Sequence, residues 1–256
     1  MEVHHHSSPA PGGTHTPRKK WTHYFWEFLM LFLAVFCGFL AENQREHMIE
    51  HQREKKYAQT LLEDLINDTL GLKRNIPFWE KMVNHIDTIR SEIEKEPSAR
   101  NALVLYRDAA LLINNSTFTY HDRTVGQLKN AGNFRLLPKA IADSLIEYDA
   151  NIISSLKDLE DRYTIIYFQN REVLQQQLFN TKFYQYIDEP EKLSAAAKLE
   201  PGIIELQKGK EEILFQYYNS LFSLRHQTAV RIRHLKRLLR RSTNLIEMIK
   251  NKYHLE

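Results

Sequence analysis

Fourteen consecutive apolar residues, Phe28 to Ala41, constrain this chain more than anything else in its 256 residues. The run is apolar on every face, whereas a helix lying on a soluble core keeps a polar stripe. It extends backwards through Trp21, Tyr24, Phe25 and Trp26, amphipathic aromatics suited to a headgroup boundary. As a helix, Trp21 to Ala41 is about 31 Å long, close to the ~30 Å hydrocarbon core of a bilayer. Nine Leu, Phe and Val residues in the run favour insertion by about 3–5 kcal/mol. Glu27 opposes it, but near one end, where a carboxylate costs less than the ~2.5–3.5 kcal/mol of a mid-bilayer charge. The expectation is a transmembrane anchor over 21–42.

Cleavage of that segment is not expected, because Phe39 and Leu40 stand where a signal peptidase needs small residues. Arg18, Lys19 and Lys20 precede the run and only Arg45 follows within ten residues, which places the N-terminus inside. The organisation expected is a disordered cytoplasmic tail over 1–20, the anchor, and an exported helical domain over 43–256 whose first part, 43–76, is a stalk. The lone Cys37 lies in the anchor, so packing alone must hold the exported part. A net charge of +3 implies no polyanionic partner.

After the anchor, long stretches carry helical periodicity and nothing alternates as strands do. Ala58, Leu62, Leu65, Thr69, Leu72 and Ile76 form one stripe, widened by Leu61, Ile66 and Leu70. Pro77 punctuates, and Trp79, Met82, Ile86, Ile89 and Ile93 mark a second helix. Ser98 reads as the N-cap of a third, to about Ile113. A long helix is expected from Pro138 to about Ile187, faced by Ile141, Leu145, Tyr148, Ile152, Leu156, Leu159, Tyr163 and Ile166. Pro190 and Pro201-Gly202 bracket a short helical piece. A last helix from about Lys208 to Lys252 carries Leu214, Tyr217, Leu221, Leu224, Leu235, Leu238, Leu245 and Ile249. The fold class expected is all-α: an anchor helix continuing into a stalk and an antiparallel helical bundle.

One stretch, 114–137, is not repetitive. Thr119 with Asp122 resembles a capping box, and Gly132 sits where a C-cap glycine belongs. Its bland reading is a short capped helix closing the bundle over Leu128, Phe134 and Leu136. Its functional reading is a partner or ligand surface of Tyr120, His121, Arg123 and Asn133. Residues 25–47, the segment Arg53-Glu54-Lys55-Lys56-Tyr57, the segment 61–65 and the pattern Leu128-x-x-x-Gly132-Asn133-x-x-Leu136 together resemble an uncharacterised family of bacterial single-pass membrane proteins. The likeness covers the anchor, the stalk and this loop, and reaches the last hundred residues only faintly. It implies a bacterial envelope location, hence the inner membrane, and carries no catalytic residues.

Three further features invite a chemical reading. His47-Met48-Ile49-Glu50-His51 matches the H-x-x-E-H zinc motif, but among Glu42, Glu46, Glu50 and Glu54 it reads as a charged stalk, and neither metal nor cofactor is expected. Glu27 either snorkels or contacts a partner helix. Ala34, Gly38 and Ala41, small and three or four apart, point to a weak homo-oligomer through Gly38. The last helix carries Arg225, Arg231, Arg233, Lys236, Arg237, Arg240 and Arg241. Its bland reading is a basic face that is solvated, or paired internally with the acids of 42–68 and 158–161. The sharper one is contact of Arg233, Lys236, Arg237, Arg240 and Arg241 with anionic lipid, since the aromatics that stack nucleic-acid bases are absent from 229–252. A non-enzymatic interaction or scaffolding protein with membrane lipid and protein partners is the function expected. A ligand-sensing bundle signalling through a partner is the alternative, and a zinc hydrolase a distant third.

Overall fold

In a computed structural model, residues 21–112, 114–154, 169–180, 182, 192, 206 and 209–255 are described. The chain divides into two units, Met1–Gln52 and Arg53–Glu256. Helix α1, Trp21–Glu94, contributes to both.

In the first unit α1 exposes its large apolar side chains on all sides: Trp21 is 82% exposed, Leu31 71% and Val35 70%. Phe28, Phe32 and Phe36, one turn apart, stack with centroids 6.3 and 5.8 Å apart. This is the one stretch among the described residues long and apolar enough to cross a membrane.

The second unit is an all-helical bundle, with no strand among the described residues. From Ala58 onward α1 turns its stripe inward, burying Leu61, Leu62, Leu65, Leu72, Ile76, Trp79, Met82, Ile86, Ile89 and Ile93, each worth roughly 1.5–3 kcal/mol. The stripe is narrower than expected, for Ile66 and Leu70 are exposed. Pro77 does not end the helix, contrary to the sequence expectation. Proline removes one ladder hydrogen bond and costs about 3 kcal/mol in a helix interior. Burial of Ile76 and Trp79 offsets that cost, and Trp79 Nε1 donates to Asn75 Oδ1 at 3.0 Å, a side-chain staple across the proline.

Arg100 then donates to the carbonyls of Ile93 and Lys95, satisfying the end of α1. Helix α2, Ala102–Leu111, is capped by Asn101, whose Oδ1 accepts from Val104 N, and not by Ser98, which lies in the 3₁₀ turn Pro97–Ala99. An irregular stretch over 114–122 leads to α3, Arg123–Asn130, and a 3₁₀ turn, Asn133–Leu136. Helix α4 spans Lys139–Ile152, α5 Gln169–Leu178 and α6 Glu211–Tyr253. The helix expected to reach Ile187 has stopped by Phe179 and Asn180, which are not helical. Its stripe is buried at Ile141, Leu145, Tyr148 and Ile152. Leu156, Leu159, Tyr163, Ile166 and the Pro190 and Pro201 region lie outside the described residues.

Pairings give the topology. Going up α6, Tyr218, Arg225, Lys236 and Tyr253 meet Glu94, Asp87, Glu80 and Glu54 of α1 in falling order, so the two helices are antiparallel. Going from Asn101 to Asn133, the partners on α1 fall likewise, from Glu92 through His85, Asn75, Asp68 and Asp64 to Tyr57. On α4, Ser144 and Glu147 meet Met248 and Arg241 of α6, again antiparallel. The bundle is therefore up-and-down, with a second element that unwinds between α2 and α3.

Candidate functional site

Unwinding the second element leaves backbone donors and acceptors, several of them part-buried, that no helical ladder satisfies. Helix α1 supplies their partners. Asn75 Nδ2 donates to Thr117 O at 2.9 Å. Asp68 Oδ1 accepts from His121 N at 3.0 Å and lies 2.9 Å from His121 Nδ1. Asp64 Oδ2 accepts from Thr124 N and from Thr124 Oγ1, at 3.0 and 2.5 Å. The start of α3 is thus capped by a carboxylate sixty residues away, while Asp122 at its own N-cap position makes no such bond. At the other end Gly132 takes φ +64°, the left-handed conformation expected of it.

Helix α4 closes the network. Tyr148 donates to Asp68 Oδ2 at 2.9 Å, Tyr120 donates to Asp149 Oδ1 at 3.1 Å, and Lys129 pairs with Asp149. Burial pushes the Asp68 carboxyl above its ordinary value, outweighing the hydrogen bonds from His121 and Tyr148 that pull it down. Burial first, then the neighbouring carboxylates, push the phenols of Tyr120 and Tyr148 upward. Sequence reasoning missed Asp64, Asp68 and Asn75. Their signal was present as three polar residues on or beside an apolar stripe, where a buried polar group needs a partner.

The four residues expected to form one surface are divided. Tyr120 turns to α4 and His121 to Asp68. Arg123 pairs with Glu63 and Asp64 at 3.1 and 3.0 Å. Asn133 Nδ2 donates to Tyr57 Oη at 3.0 Å. His121 lines an open hollow of about 330 Å³ with Asn67, Leu70, Lys73 and Arg74. Asn133 lines another of about 280 Å³ with Arg53, Lys56, Tyr57, Thr60 and Gln127. A carboxylate-oriented imidazole can pass a proton, but among the described residues no serine, threonine or cysteine lines the His121 hollow to receive that help.

On α6, Lys236 pairs with Glu80 and Arg241 with Glu147, each at 2.6 Å, and Arg225 with Asp87 at 2.6 Å. These acids differ from those expected at 42–68; 158–161 lie outside the described residues. Arg233, Arg237 and Arg240 are exposed. Arg231, on the same basic stretch, is buried with its guanidinium 4.0 Å from the Trp79 ring centroid, a cation–π contact. Glu27 lies 3.2 Å from His23 one turn back. A Cβ at Gly38 would meet nothing within 4 Å. His47 and His51 are exposed, and the described residues hold no group of three or more side chains placed to bind a metal.

No protein-family model matches the chain, and no curated protein or solved structure matches it either. What it does must be argued from its own geometry.

Proposed function

We propose that this is a non-enzymatic, membrane-anchored interaction protein, a helical bundle exported from the bacterial inner membrane by its own uncleaved anchor. The observation that carries the reading is the use to which the polar groups are put. Asp64, Asp68, Asn75, Tyr120, Tyr148 and Asp149 are spent on holding one unwound stretch against two helices. A catalytic centre instead converges its polar groups on a space where a substrate fits. The exposed apolar helix of the first unit supports the anchor, and the basic flank Arg18-Lys19-Lys20 supports a cytoplasmic N-terminus.

Two measurements test it. In a Cys37→Ala background, a cysteine placed at the exposed Ser223 is expected to react with a membrane-impermeant thiol reagent in intact spheroplasts; labelling only after lysis reverses the topology. Photo-crosslinking amino acids at Arg233, Arg237 and Arg240 in living cells are expected to trap a discrete adduct. Absence of any adduct from all three removes the interaction reading of that face.

A further inference from the structure

The hollow beside Asn133 faces two helix cations with a hydrogen-bonded phenol–carboxamide pair. Arg53, Lys56, Tyr57 and Thr60 occupy positions i, i+3, i+4 and i+7 of α1, one face of the helix. Gln127 from α3 and Asn133 from the following turn complete the lining from the opposite side. No carboxylate belongs to it among the described residues. Several other cations of the bundle meet acids: Arg123 meets Glu63 and Asp64, Lys129 Asp149, Arg225 Asp87, Lys236 Glu80 and Arg241 Glu147. The nearest glutamate along α1, Glu54, accepts from Tyr253 Oη at 2.7 Å.

The neutral groups are also arranged as donors. The Tyr57 hydroxyl already accepts from Asn133 Nδ2. Its own proton has no acceptor among the described residues, and Asn133 keeps its second amide hydrogen. The left-handed φ of Gly132 turns the chain after α3 immediately before Asn133, and the bond to Tyr57 then holds that amide toward α1. Two cations, a phenol and two carboxamides around about 280 Å³ of open space suit a compact oxyanion of high charge. We propose that this hollow binds a phosphate monoester group, carried either by a lipid headgroup or by a small soluble phosphate. Arg53 supplies the forked donor that matches two phosphate oxygens, and Lys56 supplies a point charge. Such a site is independent of any protein partner, and its failure would leave the interaction reading untouched.

The full chain in an uncharged detergent, titrated calorimetrically with inorganic phosphate against sodium chloride of matched ionic strength, tests the soluble source. The same chain reconstituted in phosphatidylcholine vesicles, with and without phosphatidic acid, tests the lipid source through the thermal midpoint. Phosphatidylglycerol, a diester, serves as control. Saturable binding of phosphate, or a midpoint raised by phosphatidic acid and not by phosphatidylglycerol, is expected. Arg53→Ala and Lys56→Ala should each weaken it about tenfold, the worth of one charge-assisted hydrogen bond. Both positions are exposed, so neither variant is expected to disturb folding. Asn133→Ala should weaken it less, and Arg240→Ala, an exposed cation outside the hollow, not at all. No response in either medium overturns the proposal. So does an equal loss in Arg240→Ala, which would mark general charge attraction.

Discussion

Helix α1 is held on two sides by opposite means. Toward α6 the contact is helix on helix: an apolar stripe with Trp79 beneath Arg231, edged by exposed ion pairs such as Lys236–Glu80. Toward the second element the contact is side chain to main chain, with Asp64, Asp68 and Asn75 replacing the hydrogen bonds that an unbroken helix would have made for itself. The first kind of contact degrades gradually, since many small contributions add. The second depends on single atoms, because each lost side chain leaves a backbone donor or acceptor without its partner.

Trp79 belongs to both sides, so Trp79→Ala should have the largest effect, about 3–5 kcal/mol, measured by urea unfolding of the full chain in mild detergent. A loss below about 1 kcal/mol would mean the two sides are not joined there. Asp68→Ala should cost about 2–3 kcal/mol, by stranding the His121 amide and the Tyr148 hydroxyl. Its effect should be lopsided: amide hydrogen exchange should accelerate in α3 while α6 stays protected. Uniform acceleration would remove the distinction between the two sides.

The pH dependence separates them again. The Tyr120 and Tyr148 phenols are raised in the folded state from 10.0, so their contribution is intact below the unfolded value. It is lost as pH climbs above about 10, where the unfolded chain releases protons that the folded one keeps. Stability should therefore fall more steeply above pH 10 in the parent than in Tyr148→Phe. Parallel curves would place that phenol in water.

Gly132→Val should cost about 1 kcal/mol, chiefly through the left-handed φ, since a Cβ added there meets nothing within 4 Å beyond its chain neighbours. The smallest effect belongs to Lys236→Ala, about 0.2–1 kcal/mol, because its pair with Glu80 is exposed and screened. A larger loss would move the α6 side toward the single-atom kind.

The same contrast explains what was legible in the sequence. The α6 stripe and the α1 stripe follow a period of about 3.5, that of helices packed nearly along one another, and periodicity records helix-on-helix burial directly. Gly132 was legible because glycine has a local conformational reason to be there. Pro77 misled because its local cost is real, while the Trp79–Asn75 bond and the burial that offset it are tertiary. The Asn101 cap was overlooked because Ser98, beside a proline, carries the same local chemistry. The caps of the 117–124 stretch lie more than forty residues away along the chain, and no local pattern announces them. For that reason Tyr120, His121, Arg123 and Asn133 read as one surface, although α1 and α4 divide them.

The pairing of Thr117 with Asn75 and of Thr124 with Asp64 sets two unequal lengths of chain side by side. Eleven residues of α1 rise about 16 Å at 1.5 Å per residue. Seven residues of the second element keep pace with them, at about 2.4 Å each, between helical and fully extended. That segment is drawn out beyond a helix but keeps slack: six residues would still cover the distance at about 2.8 Å each, below the ~3.3–3.6 Å of a fully extended chain. Loss of one residue can be taken up by straightening, whereas loss of two brings the segment to its limit and must break an anchor or drag α3 along α1.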